Sequence, residues 1–271
     1  MTERPLLVGA VAYTPNVVPI WEGIRDYFRD TPGEMDFVLF SNYGRQVEAL
    51  LDGAIDIAWN TNLAWVRTVM RTGGTCRALA MRDTDLTFST VFVTRPGSGL
   101  RDIADLKGRR LALGSRDSAQ AAILPIHFLR GAGLSESDVE LLRIDSDLGK
   151  HGDTGRSELD AIRALLDERA DAAALGITTW QAIGREELMP GALEAFWHSP
   201  TYCHCNFTAL DTLPAERTDP WVAHLLAMDW DNPDHRRILE LEGLRQWRRP
   251  ELDGYASLFQ AVEEQQIPAE W

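Results

Sequence analysis

Hydrophobic positions along the chain fall into short blocks of two kinds, and their alternation predicts an α/β protein. LLVGAVA (6–12), DFVLF (36–40) and AIDIAW (54–59) are apolar runs of strand length bounded by polar turns. VVPIWEGIRDYFR (17–29), RQVEALLDG (45–53) and LAWVRTVMRT (63–72) instead carry apolar residues at the three-to-four spacing of an amphipathic helix. Strand, helix, strand, helix, strand is the pattern of a parallel sheet with crossover helices. In such sheets ligands bind beyond the carboxyl ends of the strands, near the helix starts. Tyr13, Tyr43, Asn60, Thr61 and Asn62 fall at those ends.

The same pattern then recurs. TFSTVFVTRPGSGL (87–100) is an extended run broken by Pro-Gly-Ser-Gly. After it come a short helix, the strand RLALG (110–114), a polar turn and a helix capped around Asp117 or Ser118. ELLRI (140–144) predicts a further strand, whose polar tail from Asp145 to Glu158 leads into the helix LDAIRALLDE (159–168). ALLDGAIDIAWNTNLAW (49–65) reappears as ALLDERADAAALGITTW (164–180), with Ala49, Leu50, Leu51, Asp52, Asp56, Ala58 and Trp65 identical to their counterparts at an offset of 115. Two copies so far apart are too few for a solenoid; they predict two similar α/β lobes. AFWHSPTYCHCNF (195–207) reads as one strand returning to the first lobe, and WVAHLLAMDW (221–230) and RRILELEGLRQW (236–247) read as helices. The expected lobes are residues 1–90 with 206–271, and residues 91–205, with a ligand cleft between them.

Composition narrows the function classes. With 271 residues, 45% of them hydrophobic, the chain is long enough to bury a substantial core. A net charge of −14 argues against a nucleic-acid partner, because phosphate backbones are bound by concentrated Lys and Arg. No stretch approaches the roughly 18 apolar residues of a membrane span, so no membrane insertion is expected. The start MTERPLLVGAVAYTP lacks the charged and apolar regions of a secretory signal, which places the protein in the cytoplasm if Met1 is the native start and in the periplasm if a signal has been removed. Three cysteines, at 76, 203 and 205, do not make a disulfide framework.

Three constellations offer chemistry. The loop from Lys150 to Glu158 carries His151, Asp153 and Glu158, residue types suited to acid–base work or metal ligation; the plainer reading is an exposed loop with a helix cap at Thr154 or Ser157. Cys203, His204 and Cys205 are candidate metal ligands beside Tyr202, although strand alternation would turn the two thiols to one face and the imidazole to the other, leaving two small buried cysteines as the plainer reading. Among the aromatics, Tyr13 and Tyr43 are the candidates for ligand contact, whereas Trp65 and Trp180 read as core. His127, in the apolar ILPIHFLRG, reads as a helix-face histidine. GxSxG, GxxxxGK, HExxH and GxGxxG are all missing from the sequence.

The block LxxGxxDIAW (50–59), the long VFVTRPGSGLRDIADLKGRRLALGSRDSAQAAILP (91–125), the second LxxxxADAA (165–173) and the return SPxxxxxxF (199–207) resemble the phosphonate/phosphate-type periplasmic substrate-binding proteins of ABC transporters, from Leu6 to about Leu258. The resemblance implies a type II periplasmic-binding-protein-like fold: two lobes, each a mixed, mostly parallel sheet flanked by helices, joined by two crossing hinge strands and closing on a small molecule. It implies a solute-binding protein for a small polar metabolite, anionic or zwitterionic, phosphonate-, phosphate-ester- or amino-acid-like, with an ABC permease as partner if the protein is exported. The ligand would be held by Tyr13, Tyr43, Asn60, Thr61 and Asn62 from one lobe, and by Ser115, Asp117, Ser118, Gln120, His151, Asp153, Glu158 and Tyr202 from the other. Where the family presents a Ser-Thr-Ser run before the helix proline, counting back from Pro125 gives Ser118, Ala119 and Gln120. Where its next helix start is rich in Gly, His and Asp, this chain has Gly155-Arg156-Ser157-Glu158; a carboxylate there repels a phosphonate dianion unless it receives an amino group of the same ligand. The alternative is a cytosolic enzyme on the same scaffold, similar in fold to hydroxymethylpyrimidine phosphate synthases and menaquinone-pathway enzymes, with His151, Asp153, Glu158 or His204 catalytic and a metal ion as the cofactor these residues could take.

Overall fold

A computed structural model describes residues 4–185 and 191–270. It divides into two compact units, Met1–Thr87 with Cys203–Tyr255 and Pro268–Trp271, and Phe88–Tyr202 with Ala256–Ile267. The ends of the expected first-lobe range, residues 1–3 and 271, lie outside the described residues.

The chain opens with β1 (Leu6–Val11), α1 (Val17–Tyr27), β2 (Met35–Phe40), α2 (Tyr43–Leu51), β3 (Ile57–Asn60), α3 (Asn62–Thr72) and β4 (Cys76–Arg82). The second unit follows with β5 (Thr90–Thr94), β6 (Arg110–Leu113), a π-helical turn (Ala119–Ile123) running straight into α4 (Leu124–Gly131), β7 (Glu140–Arg143), α5 (Arg156–Leu166), β8 (Ala172–Gly176), α6 (Ile177–Arg185) and β9 (Glu194–His198). The first unit is completed by β10 (Asn206–Leu210), α7 (Ala215–Leu226), α8 (Pro233–Glu242) and β11 (Trp247–Arg248), before α9 (Ala256–Glu264) returns to the second.

The first sheet has the order β11-β4-β10-β3-β1-β2, the second β7-β6-β8-β5-β9. In each, three neighbouring strands run parallel, β2-β1-β3 and β7-β6-β8, and the antiparallel partner of β3 or β8 is β10 or β5. The parallel strands are apolar on both faces because helices cover both. In the second unit Leu111, Ala172 and Phe92 pack with Ile126 and Leu129 of α4, while Ala112, Ala173 and Val91 pack with Ile162 and Leu165 of α5. The first unit centres on Val8, Ile57, Phe207, Trp21, Trp221 and Trp247. Trp65 is buried against Tyr255, and Trp180 packs on the α5 side of the second core, so both repeat tryptophans are packing residues.

The sequence repeat is one local structure used twice. At each helix end the carbonyl of Ala49 or Ala164 accepts two main-chain N–H bonds, from Ala54 and Ile55 or from Arg169 and Ala170. Asp56 and Asp171 then donate N–H to the carbonyls of Leu7 and Arg110, both at 2.8 Å. Their carboxylates accept the N–H of those same residues, at 2.8 and 2.9 Å. Each Asp thereby stitches the start of one strand to the start of its parallel neighbour.

Three expectations change. The return segment is two strands with an irregular stretch at 199–205 between them, and it meets the other crossover through the Phe88–Tyr202 bridge, N–H to carbonyl at 3.1 and 2.9 Å. CRALAMR forms β4, which the sequence left without an element, because Arg77 and Arg82 interrupt its apolar run while their guanidiniums find carbonyl and carboxylate partners. Residues 256–267, placed with the first lobe by sequence, belong to the second unit. There α9 buries Leu258, Ala261 and Val262, Arg130 donates to the Glu264 carbonyl at 3.0 Å, and Gln265 donates to the Ile123 carbonyl at 2.9 Å. His127, on α4, meets the Glu264 carboxylate at 2.9 Å.

Candidate functional site

In the second unit the carboxyl ends of β6, β7 and β8 lie side by side, and the segment leaving each carries candidate residues. After β6, Gly114 has no side chain where a Cβ would meet Ala121 at 2.7 Å and Ser157 Oγ at 3.0 Å, so the strand end can approach both helix starts. Ser115 and Ser118 follow in a tight turn closed by the Ser118 N–H on the Ser115 carbonyl at 2.8 Å. Ser118 caps the π-helical turn, its Oγ accepting the Ala121 N–H at 3.2 Å.

After β7, the polar loop folds over that turn. Asp147 organises it, accepting from the Ser115 and Thr154 hydroxyls and from the Ser157 N–H at 3.4 Å. Asp117 accepts the Gly149 N–H at 2.6 Å and lies 3.8 Å from His151 Nε2. Asp153 is half-buried beside Lys150, whose ammonium burial pushes below its usual range while the Asp153 charge works the other way. The helix expected to be capped by Thr154 or Ser157 has Gly155 as its cap residue instead, in the left-handed region at φ 63°. Gly152, at φ +83°, takes a conformation that suits glycine, and a Cβ there would meet Ser118 Oγ at 2.5 Å and Gln120 Nε2 at 2.7 Å. The loop expected to be exposed is therefore packed on the cap, with His151 only 1% exposed.

Glu158, in the first turn of α5, is fully buried. Its Oε1 accepts from Gln120 Nε2 at 3.2 Å, and its Oε2 accepts the Gly176 N–H at 2.9 Å at the end of β8. Burial raises the carboxyl to about 7 against hydrogen bonds from Thr179, Gly176 and Gln120 that favour the charged form, while Asp147 pushes it further up. Tyr202 closes the network, its hydroxyl 3.0 Å from Thr90 Oγ1, which donates to the Gln120 carbonyl at 2.8 Å. Burial raises the phenol well above its usual value. Ser115, Asp117, Ser118, Gln120, His151, Glu158 and Tyr202 thus gather at one end of the sheet: Asp147 ties Ser115 to the loop, Thr90 ties Gln120 to Tyr202, and Gly152 packs against Ser118 and Gln120. Those linking residues are ones the sequence did not single out; the three glycines at 149, 152 and 155 were the available signal, since each sits at positive φ.

The corresponding edge of the first unit joins the ends of β1, β2 and β3. Tyr13 is half-buried against the main core. Tyr43 is not a turn residue but the first residue of α2, buried against Val11, Val47 and Ala64. Asn60 is held at both ends of its amide, accepting from Gln46 at 2.9 Å and donating to Thr208 at 3.0 Å. Thr61 caps α3, and Asn62 Oδ1 accepts the N–H of Leu63 at 2.8 Å. Asn60 to Asn62 thus build the strand end and helix start.

The Cys-His-Cys expectation changes as well. Residues 203–205 lie outside β10, so strand alternation does not apply, and His204 Nδ1 lies 3.0 Å from Cys205 Sγ and 3.4 Å from Asp85 Oδ1. Cys203 turns away to the Glu251 carbonyl at 3.1 Å, packed against Gly254, and burial raises its thiol to about 11. Asp85, His204 and Cys205 present three donors within 4.8 Å of one another. Both oxygens of Asp85 are already taken by Arg82, at 2.7 and 2.8 Å. Burial opposes the Asp85 charge, but the guanidinium prevails and holds the carboxyl at about 2. A cation at these donors would face the Arg82 charge directly, so the cluster reads as a buried ion-pair network.

Two similar units, each a mixed sheet whose three parallel strands end at hydroxyl- and amide-bearing helix starts, define a substrate-binding protein of the type II periplasmic class. The family model of phosphonate periplasmic substrate-binding proteins of ABC transporters matches residues 11–255, and the chain belongs to that family. It is 26% identical over 237 residues to the probable ABC transporter phosphite binding protein PhnD1 of Prochlorococcus marinus (strain MIT 9301), covering 83% of this chain and 76% of that one. Its fold matches the structure of PhnD1 in complex with methylphosphonate at a TM-score of 0.76, with 21% identity and 97% and 98% of the two chains covered. XAC2383 from Xanthomonas citri bound to ATP matches at 0.75, with 16% identity and coverage of 97% and 98%.

Proposed function

We propose that the protein captures a small oxyanion of the phosphonate or phosphite class for an ABC permease, outside the cytoplasmic membrane, and that the second unit holds the oxyanion where the Ser115–Ser118 turn enters the π-helical turn. The observation that supports this reading most directly is a buried hydroxyl at that place, Ser157 Oγ, a donor that has no hydrogen-bond partner among the described residues. Native interiors seldom leave such groups unsatisfied except where a ligand or water completes them. Main-chain N–H groups at the starts of both helices add a field that favours negative charge.

No lysine or arginine is among the residues of this network, and Asp117, Asp147 and Glu158 surround it. The ligand is therefore held by hydroxyls and amides, and an added ammonium group on it would meet a carboxylate. The test is titration calorimetry with phosphite, methylphosphonate and 2-aminoethylphosphonate. Ser118→Ala is expected to weaken whichever ligand binds by about 10- to 100-fold, the worth of one hydrogen bond to a charged group. Unchanged affinity in Ser118→Ala and Ser157→Ala would remove this site.

A further inference from the structure

Gln120 is 4% exposed and its amide is bracketed by two glycines: a Cβ on Gly152 would touch Nε2 at 2.7 Å, and one on Gly176 would touch Cγ at 3.0 Å. Nε2 donates to Glu158 Oε1 at 3.2 Å, which is the orientation an ionised carboxylate demands, and it leaves Oε1 buried without a partner among the described residues. The other Glu158 oxygen accepts the Gly176 N–H and so can stay unprotonated in either charge state. A proton added to Glu158 therefore goes on Oε1, facing Gln120. On the Gln120 side it finds an NH2 group, which cannot accept it, and the Thr179 hydroxyl can accept it only by giving up the hydrogen bond it donates to the carboxyl.

Turning the amide by half a rotation removes the conflict. The Glu158 O–H then donates to the Gln120 carbonyl, and the NH2 moves to where the carbonyl oxygen was. Oxygen and nitrogen exchange places at almost no cost in volume. The proton is taken from solvent, and no bond other than the O–H forms or breaks.

We propose that Gln120 and Glu158 form a proton-controlled amide switch, in which neutral Glu158 turns the Gln120 NH2 toward an anionic ligand and ionised Glu158 turns the carbonyl toward it. The inference rests on the reading that the second unit's helix start holds the oxyanion. The groups facing the carboxyl are Gln120 from the π-helical turn, the Gly176 N–H from β8, Thr179 from α6, Asp147 from the loop before α5 and the Tyr202 hydroxyl from the return segment. His151 and Asp117 are the next titratable pair on the loop and turn. Burial sets the protonation midpoint near 7. Above it the protein loses the donor and presents an acceptor to an anion, so binding is coupled to proton uptake.

The test compares methylphosphonate affinity at pH 6 and pH 8 in the wild type and in Glu158→Gln, whose amide is a fixed stand-in for the neutral acid. The ligand's own titration is common to both proteins and cancels in the ratio. The wild type is expected to weaken about 10-fold more than the variant over this range, as a single group with a midpoint near 7 requires. Equal weakening overturns the switch and leaves the oxyanion site standing, whereas binding by neither protein at either pH overturns both. A second readout needs no variant: in the ligand-free wild type the side-chain 15N resonance of Gln120 and the 13Cδ resonance of Glu158 are expected to move with one midpoint. A Gln120 amide that stays still while Glu158 titrates overturns the proposal.

Discussion

Asp171 shows how much one side chain does in this architecture. Its carboxylate accepts the Arg110 N–H at 2.9 Å and pairs with the Arg110 guanidinium at 2.7 Å, fixing where β6 begins beside β8. Asp171→Ala leaves that N–H without its acceptor and is expected to cost about 1–3 kcal/mol, read as a shift of the denaturation midpoint at constant slope. A shift under about 0.5 kcal/mol would mean that water replaces the carboxylate. The hydrogen bond from Arg110 holds the Asp171 carboxyl below its usual range. A carboxyl depressed in the folded state adds stability that is present above its unfolded value and lost as pH falls through the folded one. The acid side of the wild-type stability curve should therefore be steeper than that of Asp171→Ala, with the two converging at low pH.

At the scale of elements, the repeat and the periodicities made most of both sheets legible, because β1, β2, β3, β6, β7 and β8 are short apolar runs with helices between them. What stayed hidden has local physical causes. Polar Arg77 and Arg82 masked β4, and the break in the return segment could not be seen because Tyr202, Cys203 and Cys205 are as apolar as strand residues. The candidate residues of the second unit were legible as a set, since they follow strand ends, but the loop's inward fold depends on Gly152 meeting Ser118 and Gln120, a contact made between residues more than 30 positions apart. The docking of α9 was hidden for a similar reason: its anchors, His127, Arg130 and Ile123, lie far upstream. The contact of His127 with the Glu264 carboxylate is partly exposed, and such surface pairs contribute at most roughly 0.2–1 kcal/mol. Glu264→Ala is expected to speed hydrogen exchange in residues 256–264 by a few-fold while leaving β6 and β8 protected. Equal acceleration across the second unit would show that α9 unfolds only with the whole, and no change would show that Leu258, Ala261 and Val262 alone hold it.

For the whole molecule, the net charge of −14 and the anion-binding reading pull in opposite directions, and distance decides which prevails. In the proposed site, helix starts, hydroxyls and the Gln120 amide would act within one turn of the ligand and be little affected by salt once it is bound. The surplus of 41 acidic over 27 basic residues acts on a ligand still in solution, and its reach is set by the Debye length, about 30 Å at 10 mM and about 8 Å at 150 mM ionic strength. An approaching dianion is therefore repelled at low salt and nearly unaware of the net charge at physiological salt. Association of methylphosphonate should speed up as ionic strength rises from 10 to 150 mM, opposite to the usual steered case in which unlike charges attract and salt slows binding, while the dissociation rate stays nearly constant. Stopped-flow measurement of both rates in a salt that does not compete for the site separates the two scales. An association rate that falls with salt would place a positive field at the entrance strong enough to outweigh the net charge, and would redirect the search for ligand-contacting residues from the hydroxyl and amide network to the arginines.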